Sequence, residues 1–69
     1  MKTEVYDRYI IERDKEYLVA VAYPQKLLTR WSISPWDAAM IEDKSEANRL
    51  ARRVKGRVRQ FNPVTGVLV

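Results

Sequence analysis

A chain of 69 residues with no cysteine and no histidine has neither a disulfide nor the usual zinc ligands to hold it together. A domain of this length buries only about 60% of the surface that its unfolded chain exposes. Packing must therefore suffice, or association with a second copy must add to it. The reading is one small domain over residues 1–69 with no linker to spare, and a composition of 46% hydrophobic and 32% charged residues suits a globular chain.

Tyr9-Ile10-Ile11 and Tyr17 to Tyr23 are rich in β-branched and aromatic residues and flank the charged stretch Glu12 to Glu16, which predicts a hairpin. A two-residue tip at Asp14-Lys15 would pair Ile11 with Leu18 and Tyr9 with Ala20 on one face, and Ile10 with Val19 on the other. That tip lacks the Asn-Gly or Asp-Gly signal of a tight primed turn. Pro24 ends the second strand, Gln25 to Leu28 make a connection, and Thr29 to Ile33 alternates so that Trp31 and Ile33 would point inward.

Ser34-Pro35-Trp36-Asp37 is a helix-start signal, with a capping hydroxyl, a proline tolerated at the first helical position and an acid for the exposed amides. Asp43 to Glu46 repeats the cap-and-acid spacing. The reading is a short turn over Pro35 to Met40, a break near Glu42-Asp43 and a main helix over residues 44–55; one continuous helix from Pro35 is the alternative. Ala47, Leu50, Ala51 and Val54 form an apolar stripe at helical spacing, and Gly56 is the expected stop. Arg57 to Phe61 reads as a strand, Asn62 to Gly66 as turn chemistry, and Val67 to Val69 as a last strand in need of a partner or a cover. The fold class is α+β: a small, mostly antiparallel sheet in the order β-β-β-α-β-β, with one helix packed on one face. Both faces of the first hairpin are apolar and one helix covers one of them, so the other is expected to be closed by a second copy, in a homodimer through the sheet, or by a partner.

Charge is unevenly spread. Ala47 to Val69 carry six basic residues and no acid, whereas the first 46 residues carry seven basic and nine acidic ones. Arg49, Arg52 and Arg53 share the helix side away from Leu50 and Val54, and alternation sends Arg57 and Arg59 to one face of the following strand. Guanidinium forks bind carboxylates or phosphates, so these five arginines, with Trp36 at their margin, are the candidate contact surface for an acidic protein or, alternatively, a nucleic acid. Ordinary helix-end chemistry competes with this reading, because cations near a helix C-terminus are stabilised by the macrodipole, and Arg49 can pair with Glu46 or Ser45. Arg57 and Arg59 lie past the helix, where the dipole no longer accounts for them. Strict alternation sets Phe61 on their face, so it is either exposed beside the arginines, as a stacking platform, or turned into the core by an irregularity.

Catalytic signatures do not emerge. Neutral-pH acid–base and nucleophilic chemistry leans on His, Cys or an activated Ser; the acid pairs Glu42 with Asp43 and Asp37 with Glu46 sit where helix starts want negative charge. No calcium-loop spacing or glycine-rich phosphate loop is present. The expectation is a protein that is not an enzyme and uses no metal or cofactor. The apolar run Leu18 to Tyr23 is six residues, against the roughly 20 that span a bilayer. Met1 to Asp7 has no apolar h-region, so no membrane association and a cytoplasmic location are expected.

Tyr9-Ile10-Ile11 with Tyr17-Leu18, Trp31-Ser32 before a short helix, Ser45-Glu46-Ala47 with Leu50-Ala51, and Arg57-Val58 before Asn62 to Gly66 together resemble a group of small uncharacterised proteins encoded by phages and prophages of Gram-positive bacteria. The resemblance covers most of the chain and carries over no functional residue. It implies a binding role, such as an accessory protein that inhibits or modulates a host protein in the host-cell cytoplasm.

Overall fold

The structure, a computed structural model, describes residues 7–22 and 28–69. Expectations about Met1 to Tyr6, Tyr23, Pro24 and the connection after it lie outside the described residues. Four strands, β1 (Arg8–Arg13), β2 (Glu16–Ala22), β3 (Leu28–Ser32) and β4 (Arg57–Phe61), form one antiparallel sheet in the order β3-β2-β1-β4. Among the described residues one α-helix, α1 (Lys44–Val54), packs against it.

The hairpin tip is at Asp14-Lys15, with Arg13 paired to Glu16 and Glu12 to Tyr17. Both tip residues have positive φ, 53° and 67°, the requirement of a type I′ turn, here met without asparagine or glycine. The pairing does not continue to Ile11 and Leu18 as expected. The strands diverge, and the segment after the short turn enters the opening: Ala39 N–H donates to Leu18 O at 2.9 Å, and Tyr9 exchanges two hydrogen bonds with Ile41 at 2.8 and 2.9 Å. Backbone groups that the hairpin leaves unpaired are thus satisfied by a third piece of chain. A bulge between Leu18 and Ala20 also changes the register against β3. Ala20, which alternation would set on the Leu18 face, pairs with Arg30 and is exposed.

Alternation along β1 and β4 divides the core in two. Ile11, Leu18, Ala51 and Val54 form one cluster, joined by Trp31, Ile41, Leu50 and Val58. Ile10, Tyr17, Ala38 and Phe61 form the other, joined by Met40 and Leu68. The second face therefore finds cover within its own chain, although a second copy or a partner was expected to supply it. Phe61 resolves in the same way. It stays on the arginine face, paired with Arg8, and is nevertheless fully buried, because Trp36 meets it edge-on at 5.1 Å and Leu68 pairs with it from the tail.

Asp43 caps α1 by accepting from Ser45 N–H at 3.1 Å, and Ser34 caps a separate 3-10 turn, Pro35–Asp37. The two expected starts and the break between them are both present, though the first turn is shorter than the expected span to Met40. The left-handed residue that ends α1 is Lys55, with φ 61°, and not Gly56. Glycine is needed at 56 for a different reason: a Cβ there would lie 2.8 Å from Ile11 Cγ2 and 2.9 Å from the Glu12 carbonyl oxygen. Ile33 does not point inward and is 80% exposed. β3 stops at Ser32, whose Oγ accepts from Ser34 N–H and donates to Asp37, so the chain turns before alternation can carry Ile33 to the core. The expected fifth strand is reduced to one bridge, Phe61 to Leu68, with further backbone bonds from Gln60 and Asn62 to Val69 and Val67. No helix among the described residues is long and apolar enough to cross a membrane.

Candidate functional site

The candidate residues divide between the two sides of the sheet. α1 buries Ala47, Ala51 and Val54, which turns Arg49, Arg52 and Arg53 outward, all exposed. Ile41 and Leu50 floor a groove of about 270 Å³ beside Arg49, Arg53 and Glu46. Arg57 and Arg59 pair across β1 with Glu12 and Ile10, on the face opposite α1, where Trp36 and Phe61 also lie. The six positions do not form one continuous surface.

The strand arginines are held by one acid. Glu12 Oε1 accepts from Arg59 Nη1 at 2.7 Å and from Arg57 Nε at 3.0 Å, and Arg57 Nη2 also lies at 3.0 Å. Arg59 Nε donates further to Val69 O at 2.9 Å, tying the tail to the sheet. The hydrogen bond from Arg59 and, beside it, the one from Arg57 hold the Glu12 carboxyl below the ordinary glutamate range, with partial burial pulling the other way. The Glu12 side chain is 12% exposed and Arg59 25%, against 72% for Arg57. The two cations that helix-end chemistry left unaccounted for are thus largely explained by a structural ion pair.

The helix arginines stand differently. Ion pairs among the described residues join Arg8 to Glu42 and Glu12 to Arg57 and Arg59; Arg49 and Arg52 enter none of them, and the pairing with Glu46 or Ser45 that the spacing allows Arg49 is not made. Arg52 and Arg53 lie in the last turn of α1, where the dipole favours cations. Arg49 lies a turn earlier and is the cation that the dipole explains least. Three of the remaining acids have local tasks: Asp37 accepts from Ser32 Oγ, Asp43 caps α1 and Glu42 pairs with Arg8. No group of three or more acids gathers as a metal site among the described residues.

Sequence reasoning passed over two features. Glu12 was part of a charged hairpin tip, yet its alternation with Ile10 sets it on a core face; what could not be read was that β4 would lie beside it. Arg13 was likewise silent. Its guanidinium sits 4.2 Å from the centre of the Trp31 ring and donates to Val54 O at 2.8 Å, closing the C-terminus of α1. Compared with known protein families, curated proteins and solved structures, the chain gives no match.

Proposed function

We propose that the protein is a non-enzymatic binding module that engages an acidic protein segment through the outer face of α1, with Arg49, Arg52 and Arg53 as the charged contacts. One observation carries this reading: Arg49 and Arg52 are exposed and outside the ion pairs of the described residues, whereas Arg57 and Arg59 are committed to Glu12 on the other side of the sheet. Leu50 and Ile41 between the arginines offer an apolar seat for a side chain of the partner. Arg57, Arg59 and Trp36 belong to the scaffold in this reading.

The resemblance to small phage and prophage proteins directs the search to extracts of a Gram-positive host. The experiment is capture from such an extract with and without nuclease, using the natural chain and the double variant Arg49→Glu, Arg52→Glu. Capture that survives nuclease and is lost in the variant supports an acidic protein partner. Capture abolished by nuclease, together with binding of mixed-sequence DNA or RNA that falls steeply with salt, would replace it with the nucleic-acid reading. Capture indifferent to the variant would remove the α1 surface from either. A second copy is no longer required to cover Ile10 and Phe61, and light scattering at a mass near 8.1 kDa would establish the monomer as the binding unit.

A further inference from the structure

We propose that the cleft between the β1–β2 turn and the junction of α1 with β4 is a binding site for a small multivalent phosphate anion. It is an open cleft of about 420 Å³ lined by Arg13, Lys15, Lys55 and Arg57 together with Glu12 and Asp14. Of the two acids, Glu12 already accepts from Arg57 and Arg59, so the balance of charge in the cleft is positive. Arg13 is fixed in place by its bond to Val54 O and by the Trp31 ring beneath it, with further N–H donors left to offer.

The backbone supplies the decisive observation. Lys15 and Lys55 both hold left-handed φ, 67° and 61°, in positions where glycine or asparagine is the ordinary choice, the second residue of a primed turn and the end of a helix. Both side chains are exposed and enter no ion pair among the described residues. The sequence thus places a strained lysine at two separate sites that face one cleft, and strain of this kind gathers at functional positions. The dipole at the end of α1 gives part of a reason for Lys55 but none for Lys15. Gly56 lets the two walls approach closely, since a Cβ there would lie 2.8 Å from Ile11 Cγ2 and 2.9 Å from the Glu12 carbonyl oxygen. Valence follows from the same geometry: the negative end of α1 abuts the cleft, so a singly charged anion gains little, whereas a phosphate chain can engage ammonium and guanidinium groups together.

The site is independent of the outer face of α1, so either can fail alone. Titration of the ¹⁵N-labelled protein with inorganic tripolyphosphate should shift the amides of residues 13–15 and 55–57, with sulfate at matched ionic strength about tenfold weaker. Shifts centred on Arg49 and Arg52, equal response to sulfate, or none at millimolar tripolyphosphate would overturn the proposal. Lys15→Gly and Lys55→Gly separate binding from structure. Relief of strain should raise the melting temperature of Lys15→Gly, while the double variant should bind about tenfold more weakly. Unchanged affinity in the double variant would overturn the site, and lowered stability in Lys15→Gly would show that the lysine is there for the fold.

Discussion

The two faces of the sheet are closed by different means. On one, α1 lays Leu50, Ala51 and Val54 at helical spacing over Ile11 and Leu18, and the cover satisfies its own backbone hydrogen bonds. On the other, Ile10, Tyr17 and Phe61 are closed by Ala38, Met40 and Leu68, residues on chain without regular structure. That second cover has to borrow hydrogen bonds, from Leu18 and Tyr9 for Ala39 and Ile41 and from Gln60 for Val69. A helix brings burial with its polar groups already paired; an irregular cover brings burial only where the sheet lends it donors and acceptors. The diverging hairpin is the consequence, because strands paired along their whole length would have had nothing to lend.

The largest expected effects test whether these two faces are one cooperative unit. Phe61→Ala should lower the unfolding free energy by about 3–5 kcal/mol and Leu18→Ala by about 2–5 kcal/mol. Denaturant titration followed by the two tryptophans should show a single transition in both variants. A separate early transition in Phe61→Ala, with Leu18 and α1 still protected in hydrogen exchange, would instead make the irregular cover a weakly attached layer.

What could be read from the residues follows the same division. The stripe Ala47, Leu50, Ala51 and Val54, the caps at Ser34 and Asp43 and the tip at Asp14-Lys15 are local patterns with local causes, and they form as read. The insertion of Ala39 to Ile41 between β1 and β2 has no local cause. It depends on which strand lies beside which, and one apolar residue in two, Met40 inward on one face and Ile41 on the other, is too short a signal to identify a wedge. The division of the candidate surface between two sides of the sheet has the same origin. Arg49, Arg52 and Arg53 share a helix side that periodicity reveals, whereas the opposite placement of Arg57 and Arg59 follows from their pairing with β1, a long-range fact. Alternation leaves Phe61 two alternatives because the cover on its face is also a long-range fact.

Gly56→Ala probes the seam between the faces. The new Cβ would meet Ile11 Cγ2 and, less forgivingly, the Glu12 carbonyl oxygen at 2.9 Å. Backbone cannot rotate aside as a side chain can, so β1 and β4 must part slightly, at a cost of about 1–3 kcal/mol. If the two faces share this seam, urea titration should show the loss, and Arg13 should loosen from Val54 O with it, read as a change in Trp31 fluorescence. An unchanged midpoint would mean that each face adjusts alone.

Glu12 sharpens the comparison through pH. Its carboxyl titrates below the ordinary glutamate range in the folded chain, owing first to Arg59. The stability it contributes is therefore complete at neutral pH, above its unfolded value, and is lost as pH falls through the folded value. Glu12→Gln should cost about 1–2 kcal/mol at pH 7 and progressively less in acid, where the natural residue is also neutral. Melting temperatures measured from pH 7 to pH 2 should converge, and parallel curves would show that the carboxylate is not what holds Arg59.

The smallest effects decide what the two sets of arginines are for. Arg59 spends one nitrogen on Glu12 and another on Val69 O at one-quarter exposure, so Arg59→Ala should cost about 1–2 kcal/mol, since it leaves Glu12 with one partner and releases the tail. Arg57, at 72% exposure, should lose less than about 1 kcal/mol on the same change, as exposed ion pairs do. Arg49→Ala and Arg52→Ala should stay within about 0.5 kcal/mol of the natural chain, because both side chains are exposed and their loss breaks no pair seen among the described residues. A residue that the fold does not need and that leaves a cation in water is available for a partner; one that the fold does need is not. If Arg49→Ala proves as damaging as Arg59→Ala, the outer face of α1 is structural, and the acidic-partner reading loses its premise before any partner is sought.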